Sequence, residues 1–150
     1  MRAVIQRVSE ASVEINNQLV AEIDKGFLIL LGIGIDDNLE DVIWLSTKIS
    51  QLRIFSDADG KMNKSIIEED GNAIVVSQFT LHAKTKKGNR PSYIKAAKAQ
   101  QAIPLYERFI ENLSNAIGKK IQSGEFGADM KVNLLNDGPV TIIIDTKNKE

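Results

Sequence analysis

The sequence predicts an α/β domain: a largely antiparallel, barrel-like β-sheet with two main helices. Three observations predict it. Short β-branched runs separated by Asn, Asp and Gly fill the first third of the chain, the pattern of hairpin-linked strands. Two later stretches switch to an apolar spacing of three to four residues, which a helix buries on one face. Finally, 150 residues of which 43% are hydrophobic suffice for one core, so residues 1–150 are expected to form a single domain.

Residues 3–8 form the first expected strand, and residues 12–15 a second that ends at the turn signal Asn16-Asn17. Residues 19–23 follow, then the turn Asp24-Lys25-Gly26. Residues 27–34 are apolar on both faces, which fits a central strand covered on both sides. Close spacing makes this an antiparallel meander. Leu39, Val42, Leu45, Ile49 and Leu52 mark a helix over 38–52, with Asp36, Asp37 and Asn38 placed to cap it. A short strand at 53–55 and a turn at Ser56–Gly60 precede a strand over 73–81. From Ile103 the period is helical again through Tyr106, Phe109, Leu113 and Ile117; Pro104 fits near the start and Gly118 stops the helix. Two strands near 130–135 and 140–144 close the chain.

Composition narrows the chemistry. Formal charge is −1, and there is no Cys, so a disulfide framework, thiolate catalysis and Cys-ligated zinc are excluded. The single His, His82, would have to serve any imidazole chemistry. The longest apolar run, Phe27–Ile35, is too short to cross a bilayer, and the N-terminus lacks a leader's apolar stretch. A cytoplasmic protein without a membrane partner is expected. Charge is uneven: nine acids face four bases between Asp36 and Asp70, whereas 71–106 holds six bases and no acid. The cluster Lys84, Lys86, Lys87 and Arg90 suits a polyanion held at one place. By charge count alone a solvated loop, whose lysines serve solubility, is the favoured reading.

The strand expected over 73–81 begins apolar and ends polar. At period two, Ser77, Phe79 and Leu81 share one face, and Gln78, Thr80 and His82 the other. Its hydroxyl and amide groups, with free backbone N–H groups at a strand end, can position an acyl group and stabilise an oxyanion. The alternative is a strand whose polar face meets water. His82 is within reach of Thr80 as a base, but no orienting carboxylate lies nearby in sequence, and it reads as a surface histidine. In Asn136-Asp137-Gly138-Pro139-Val140-Thr141, the Gly-Pro pair lowers the preference for trans to ~0.5–1 kcal/mol, and Gly removes the usual clash before Pro. Such a corner can aim two carbonyls the same way; an ordinary trans loop is the other reading. Gly32-Ile33-Gly34 lacks the third glycine of a dinucleotide loop and marks a bend or close packing. Asp57-Ala58-Asp59-Gly60 lacks the later Glu of a calcium loop and reads as a turn.

Taken together and in order, several segments resemble the D-aminoacyl-tRNA deacylase (D-tyrosyl-tRNA deacylase) family. They are Met1–Val8, Arg53-Ile54-Phe55 with Gly60–Asn63, Ser77-Gln78-Phe79-Thr80-Leu81, Gly88–Tyr93, Gly124–Met130 and Asn136–Thr141. The likeness is collinear over essentially the whole chain. It implies a homodimeric enzyme with the D-tyrosyl-tRNA deacylase-like fold. Its reaction is cleavage of the ester between a D-amino acid, or mischarged glycine, and the terminal adenosine of tRNA, with no cofactor, metal or DNA partner. It further implies that Gly138 and cis Pro139 of one subunit enter the other's site as a chiral filter supported by Arg7. Thr80 and the backbone at Phe79–Thr80 would position the ester and hold the oxyanion, Ser77 and Gln78 would orient adenosine and ester, and the ribose 2′-OH would assist catalysis. Met130 and the basic residues Lys84, Lys86, Lys87 and Arg90 would bind the tRNA. Other readings stay open: a different aminoacyl-tRNA editing hydrolase, a non-catalytic RNA- or ligand-binding module, and a structural dimer.

Overall fold

A computed structural model describes residues 1–150. Its order is β1 (Arg2–Ile15), β2 (Gln18–Ile23), β3 (Gly26–Gly32), α1 (Leu39–Ser50), β4 (Phe55–Ser56), β5 (Met62–Lys64), β6 (Asn72–Ser77), α2 (Ala99–Ile117), β7 (Gln122–Ser123) and β8 (Lys131–Asp145), with a 3₁₀ turn over Phe79–His82. The predicted class stands, with two helices on a barrel-like sheet. The sheet is mixed, however. β1 pairs antiparallel with β2, β3 and β8, whereas β3–β6 and β6–β7 are parallel, so the meander ends at β3. The chain from β3 to β6 crosses over through α1, the ordinary route between parallel neighbours.

The two strands expected at 3–8 and 12–15 are one, β1. Its first half pairs with β3 from Arg2↔Gly32 to Val8↔Gly26, and its second half with β2 from Ala11↔Ile23 to Ile15↔Gln18. Buried side chains change parity along it: Ala3 and Ile5 join the core under the helices, whereas Val8, Ala11 and Val13 join a second cluster on the opposite face. Register shifts around Val8 supply the change. β3 lies between both clusters, with Phe27, Ile29 and Leu31 toward the helices and Leu28 toward the second cluster. This is why it reads apolar on both faces.

The barrel closes through a side chain. At its far edge, the Gln122 amide on β7 acts as a peptide toward β2: Oε1 accepts from Glu22 N–H at 2.8 Å and Nε2 donates to Glu22 O. α1 begins with a capping box between Asn38 and Asp41. α2 starts at Ala99, earlier than Pro104 suggested. Lys98 O accepts from Gln101 and Ala102, while Gln101 Nε2 donates to Ile35 O at 3.0 Å, tying the first turn to the preceding loop. Pro104 is exposed, so the carbonyl it leaves unpaired meets water. The last two expected strands are one, β8, which bulges at 137–140: Gln6 faces Thr141 while Val8 already faces Asn136.

Candidate active site

The site grows from the place where β6 ends. Gln78 N–H donates to Leu31 O at 2.8 Å, the last bond toward β3, and the chain then turns. The strand expected to run to Leu81 therefore stops at Ser77, and Phe79–His82 is a 3₁₀ turn. Gly32 permits this. A Cβ there would lie 2.9 Å from Gln78 O and 3.0 Å from Leu81 Cβ, so any larger residue would push the turn off the sheet. Ser77, Phe79 and Leu81 consequently do not share one strand face. The earliest bond of the turn is Leu81 N–H to Gln78 O at 3.2 Å, which leaves the amides of Phe79 and Thr80 at its head, where a helix start has donors to spare. Gln78 Nε2 donates to Thr80 Oγ1, fixing both side chains relative to each other. Arg2 Nη1 holds Leu81 O at 2.9 Å while its Nε pairs with Asp145.

Beside this turn lies a cleft of about 300 Å³. Ser77, Gln78 and Phe79 form one wall, Leu31 and Ile33 the floor, and Phe126, Met130 and Val132 the far wall. Of the residues proposed from sequence, Ser77, Gln78, Phe79 and Met130 thus meet at one cavity, and Thr80 bonds to Gln78 at its edge. Lys84, Lys86, Lys87 and Arg90 are exposed on a hairpin closed by two backbone bonds between Lys84 and Ser92, of 2.8 and 3.0 Å. That hairpin returns the chain to Tyr93, whose ring packs edge-on to Phe79 with centroids 5.0 Å apart. Sequence reasoning assigned no role to Phe126 or Tyr93. Both lie in segments too irregular for strand or helix periodicity, and only their presence in shared motifs marked them.

His82 corrects the expectation of a surface histidine: it is 8% exposed, packed under Gly32 and Gly34, and its Nε2 has no hydrogen-bond partner. Burial pushes the imidazole below its ordinary 6.5, against the opposing pull of the Gly32 backbone; Arg2 and the terminal ammonium push the same way. Its ring fills the space beside Gly32 and Gly34, where a side chain at either glycine would collide with it.

The corner at 137–140 stands apart. Gly138-Pro139 is a cis peptide, and Asp137, Gly138 and Pro139 are exposed and do not line the cleft of their own chain. Arg7 braces the corner from inside: Nε donates to Asp137 O at 3.0 Å and lies 3.4 Å from Asp137 Oδ2, while Nη1 is anchored on Ile54 O at 2.6 Å. Asn136 Nδ2 spans the bulge, donating to Arg7 O and Val140 O at 3.0 and 2.9 Å. Gly138 has φ +129°, and a Cβ would meet Arg7 Nη2 and Val140 Cγ2 at 2.9 Å, so the corner requires glycine. No three His, Cys, Asp or Glu side chains gather as metal ligands would, and no helix is long and apolar enough to cross a membrane.

A family model described as D-Tyr-tRNA(Tyr) deacylase matches residues 4–145. A D-aminoacyl-tRNA deacylase of Bacteroides fragilis is 65% identical over 150 residues, covering all of both chains. One of Flavobacterium johnsoniae is 62% identical over the same span, again covering all of both. Among solved structures, a chain described as c-Myc DNA Unwinding Element Binding Protein superposes with a TM-score of 0.92 at 38% identity, covering 97% of this chain and 99% of that one. A probable eukaryotic D-amino acid tRNA deacylase superposes with a TM-score of 0.80 at 17% identity over 95% and 97%, which speaks for the fold alone.

Proposed function

The chain belongs to the D-Tyr-tRNA(Tyr) deacylase family and is a D-aminoacyl-tRNA deacylase, an ester hydrolase, and we propose that it works as a cytoplasmic, single-domain homodimer whose subunits complete each other's clefts. One observation carries this: a rigid, exposed corner, braced by Arg7, that does not reach the cleft of its own chain. In a two-fold dimer, each subunit's Gly138-Pro139 faces the Ser77–Thr80 wall of the other.

The substrate is an activated ester, so no strong protein nucleophile is required. Water attacks the acyl carbon, the bond to the ribose 3′ oxygen breaks, and that oxygen takes up a proton. Free D-amino acid and tRNA leave. The ribose 2′-OH assists the attack. The amides of Phe79 and Thr80 receive the oxyanion, worth roughly 3–4 kcal/mol for one well-placed donor. Thr80, held by Gln78, positions rather than attacks. Ser77 and Gln78 orient the adenosine and the ester, and Met130 bounds the far wall. No cofactor is needed. Lys84, Lys86, Lys87 and Arg90 hold the acceptor stem through phosphates.

Selectivity arises by exclusion. Carbonyls of Gly138 and Pro139 occupy the space into which an L side chain would project, so only hydrogen or a D side chain fits; glycyl-tRNA is therefore also a substrate. The test pairs D-Tyr-tRNA with L-Tyr-tRNA for the wild type, Gly138→Ala and Pro139→Ala, with the oligomeric state measured alongside. Lost D turnover or gained L turnover in the variants supports the filter, and an unchanged D/L ratio removes it. Undiminished hydrolysis of tRNA ending in a 2′-deoxy sugar removes the assisted attack. Cleavage of L or non-protein aminoacyl esters by the wild type would favour another editing hydrolase. Nucleic-acid binding without turnover would favour a binding module, the reading nearest to the name of the 38%-identical structural relative.

A further inference from the structure

The far wall of the cleft is set by a residue that does not itself line it. Gly124 follows β7, and its N–H donates to Val75 O at 3.2 Å, fixing it to the end of β6. Its Cα faces Met130, and an added Cβ would lie 2.3 Å from Met130 Sδ, 3.6 Å from Met130 Cε and 3.7 Å from Val13 Cγ1. The methionine sulfur thus sits where an alanine methyl would be. Gly124 has no left-handed backbone angle that would itself demand glycine. What requires glycine here is the space its missing side chain gives to Met130.

We propose that Gly124 is a positioning residue of the deacylase cleft: it seats the Met130 thioether against the backbone and thereby fixes the depth available to the bound aminoacyl-adenosine. The inference rests on the reading of the cleft given above. Three physical points carry it. The clashing atom is the far end of a flexible side chain, so the fold tolerates a methyl at 124 by moving Met130 rather than by unfolding. Val13, whose Cγ1 lies 3.7 Å from the same point, is fully buried and close-packed, so it offers the thioether no room. The open volume beside Met130 is the cleft of about 300 Å³ that it already lines. A displaced thioether therefore moves into the substrate's space.

Two measurements test this. The first needs no turnover: the rate of Met130 oxidation by hydrogen peroxide, read by peptide mass spectrometry against exposed Met62 as internal reference. Gly124→Ala should raise the Met130:Met62 ratio several-fold, and an unchanged ratio overturns the seat. The second is a double-mutant cycle on D-Tyr-tRNA hydrolysis. Gly124→Ala should raise KM about fivefold or more with kcat within about twofold, whereas in a Met130→Val background, which lacks the sulfur, the same change should alter KM by less than about twofold. Equal effects in both backgrounds, or none in either, overturn the positioning role. A wild type that hydrolyses no D-aminoacyl-tRNA would instead overturn the deacylase reading, and the oxidation ratio still decides where Met130 sits.

Discussion

At single positions, backbone and burial decide more than side-chain reactivity. Gly138 combines a φ of +129° with Arg7 Nη2 and Val140 Cγ2 at 2.9 Å from where a Cβ would stand. Gly138→Ala should therefore cost about 1–3 kcal/mol in strain, seen as a lowered Tm together with reduced D-Tyr-tRNA turnover; an unaltered Tm would mean the corner relaxes freely. His82 gives a pH signature. Its folded pKa is below the unfolded value near 6.5, so the unfolded chain binds the extra proton as acid is added. Its stabilisation is fully present above pH 6.5 and is lost as pH falls below it. Thermal melts of the wild type should weaken from about pH 6.5 downward, and His82→Gln should flatten that limb. A further loss is expected below pH 4. Asp41, buried yet bonded to Lys147, Thr146 and the Asn38 backbone, is lowered to about 2, and its contribution vanishes as pH falls from 3.8 toward that value. Identical melting curves for wild type and His82→Gln between pH 5 and 6.5 would remove the histidine from this account.

Among the elements, closure of the sheet depends on one amide. β7 is only two residues long, and Gln122 extends it by presenting an acceptor and a donor to Glu22. Gln122→Ala removes both bonds at an exposed edge, where water replaces part of the loss, so a cost of about 1–2 kcal/mol is expected from two net hydrogen bonds. The measurement is urea unfolding: the midpoint should fall with the slope retained, and a reduced slope would mean that the barrel opens altogether. The elements also show where sequence patterns succeed. α1 was legible from Leu39, Val42, Leu45 and Ile49 because a helix core stripe is local, and of the three candidate caps Asp36, Asp37 and Asn38 it is Asn38 that caps it. The break of β6 at Ser77 was not. It arises because Gly32, far away in sequence, lets the 3₁₀ turn pack on the end of β3.

For the molecule as a whole, cationic charge is concentrated in one exposed hairpin. Net charge is −1, yet the hairpin between Lys84 and Ser92 presents four exposed cations and leads back to Tyr93, whose ring packs on Phe79 of the cleft. Reversing Lys84, Lys86, Lys87 and Arg90 to Glu should raise KM most at low salt, and each lost phosphate contact should flatten the dependence of log KM on log salt by roughly one unit of slope. Salt-insensitive KM in the wild type would assign these cations to solubility alone.

By itself the sequence determined the bodies of both helices, the central buried strand, and the turns at Asn16-Asn17 and Asp57–Gly60. Each depends on residues close together in the chain. Tertiary structure alone decided that β3 and β6 run parallel, that β1 and β8 are continuous, that His82 lies inside, that Arg7 reaches Asp137, and that Met130 rests against Gly124. Those facts rest on contacts between residues far apart in sequence, whose side chains carry no periodicity that announces the partner they will meet.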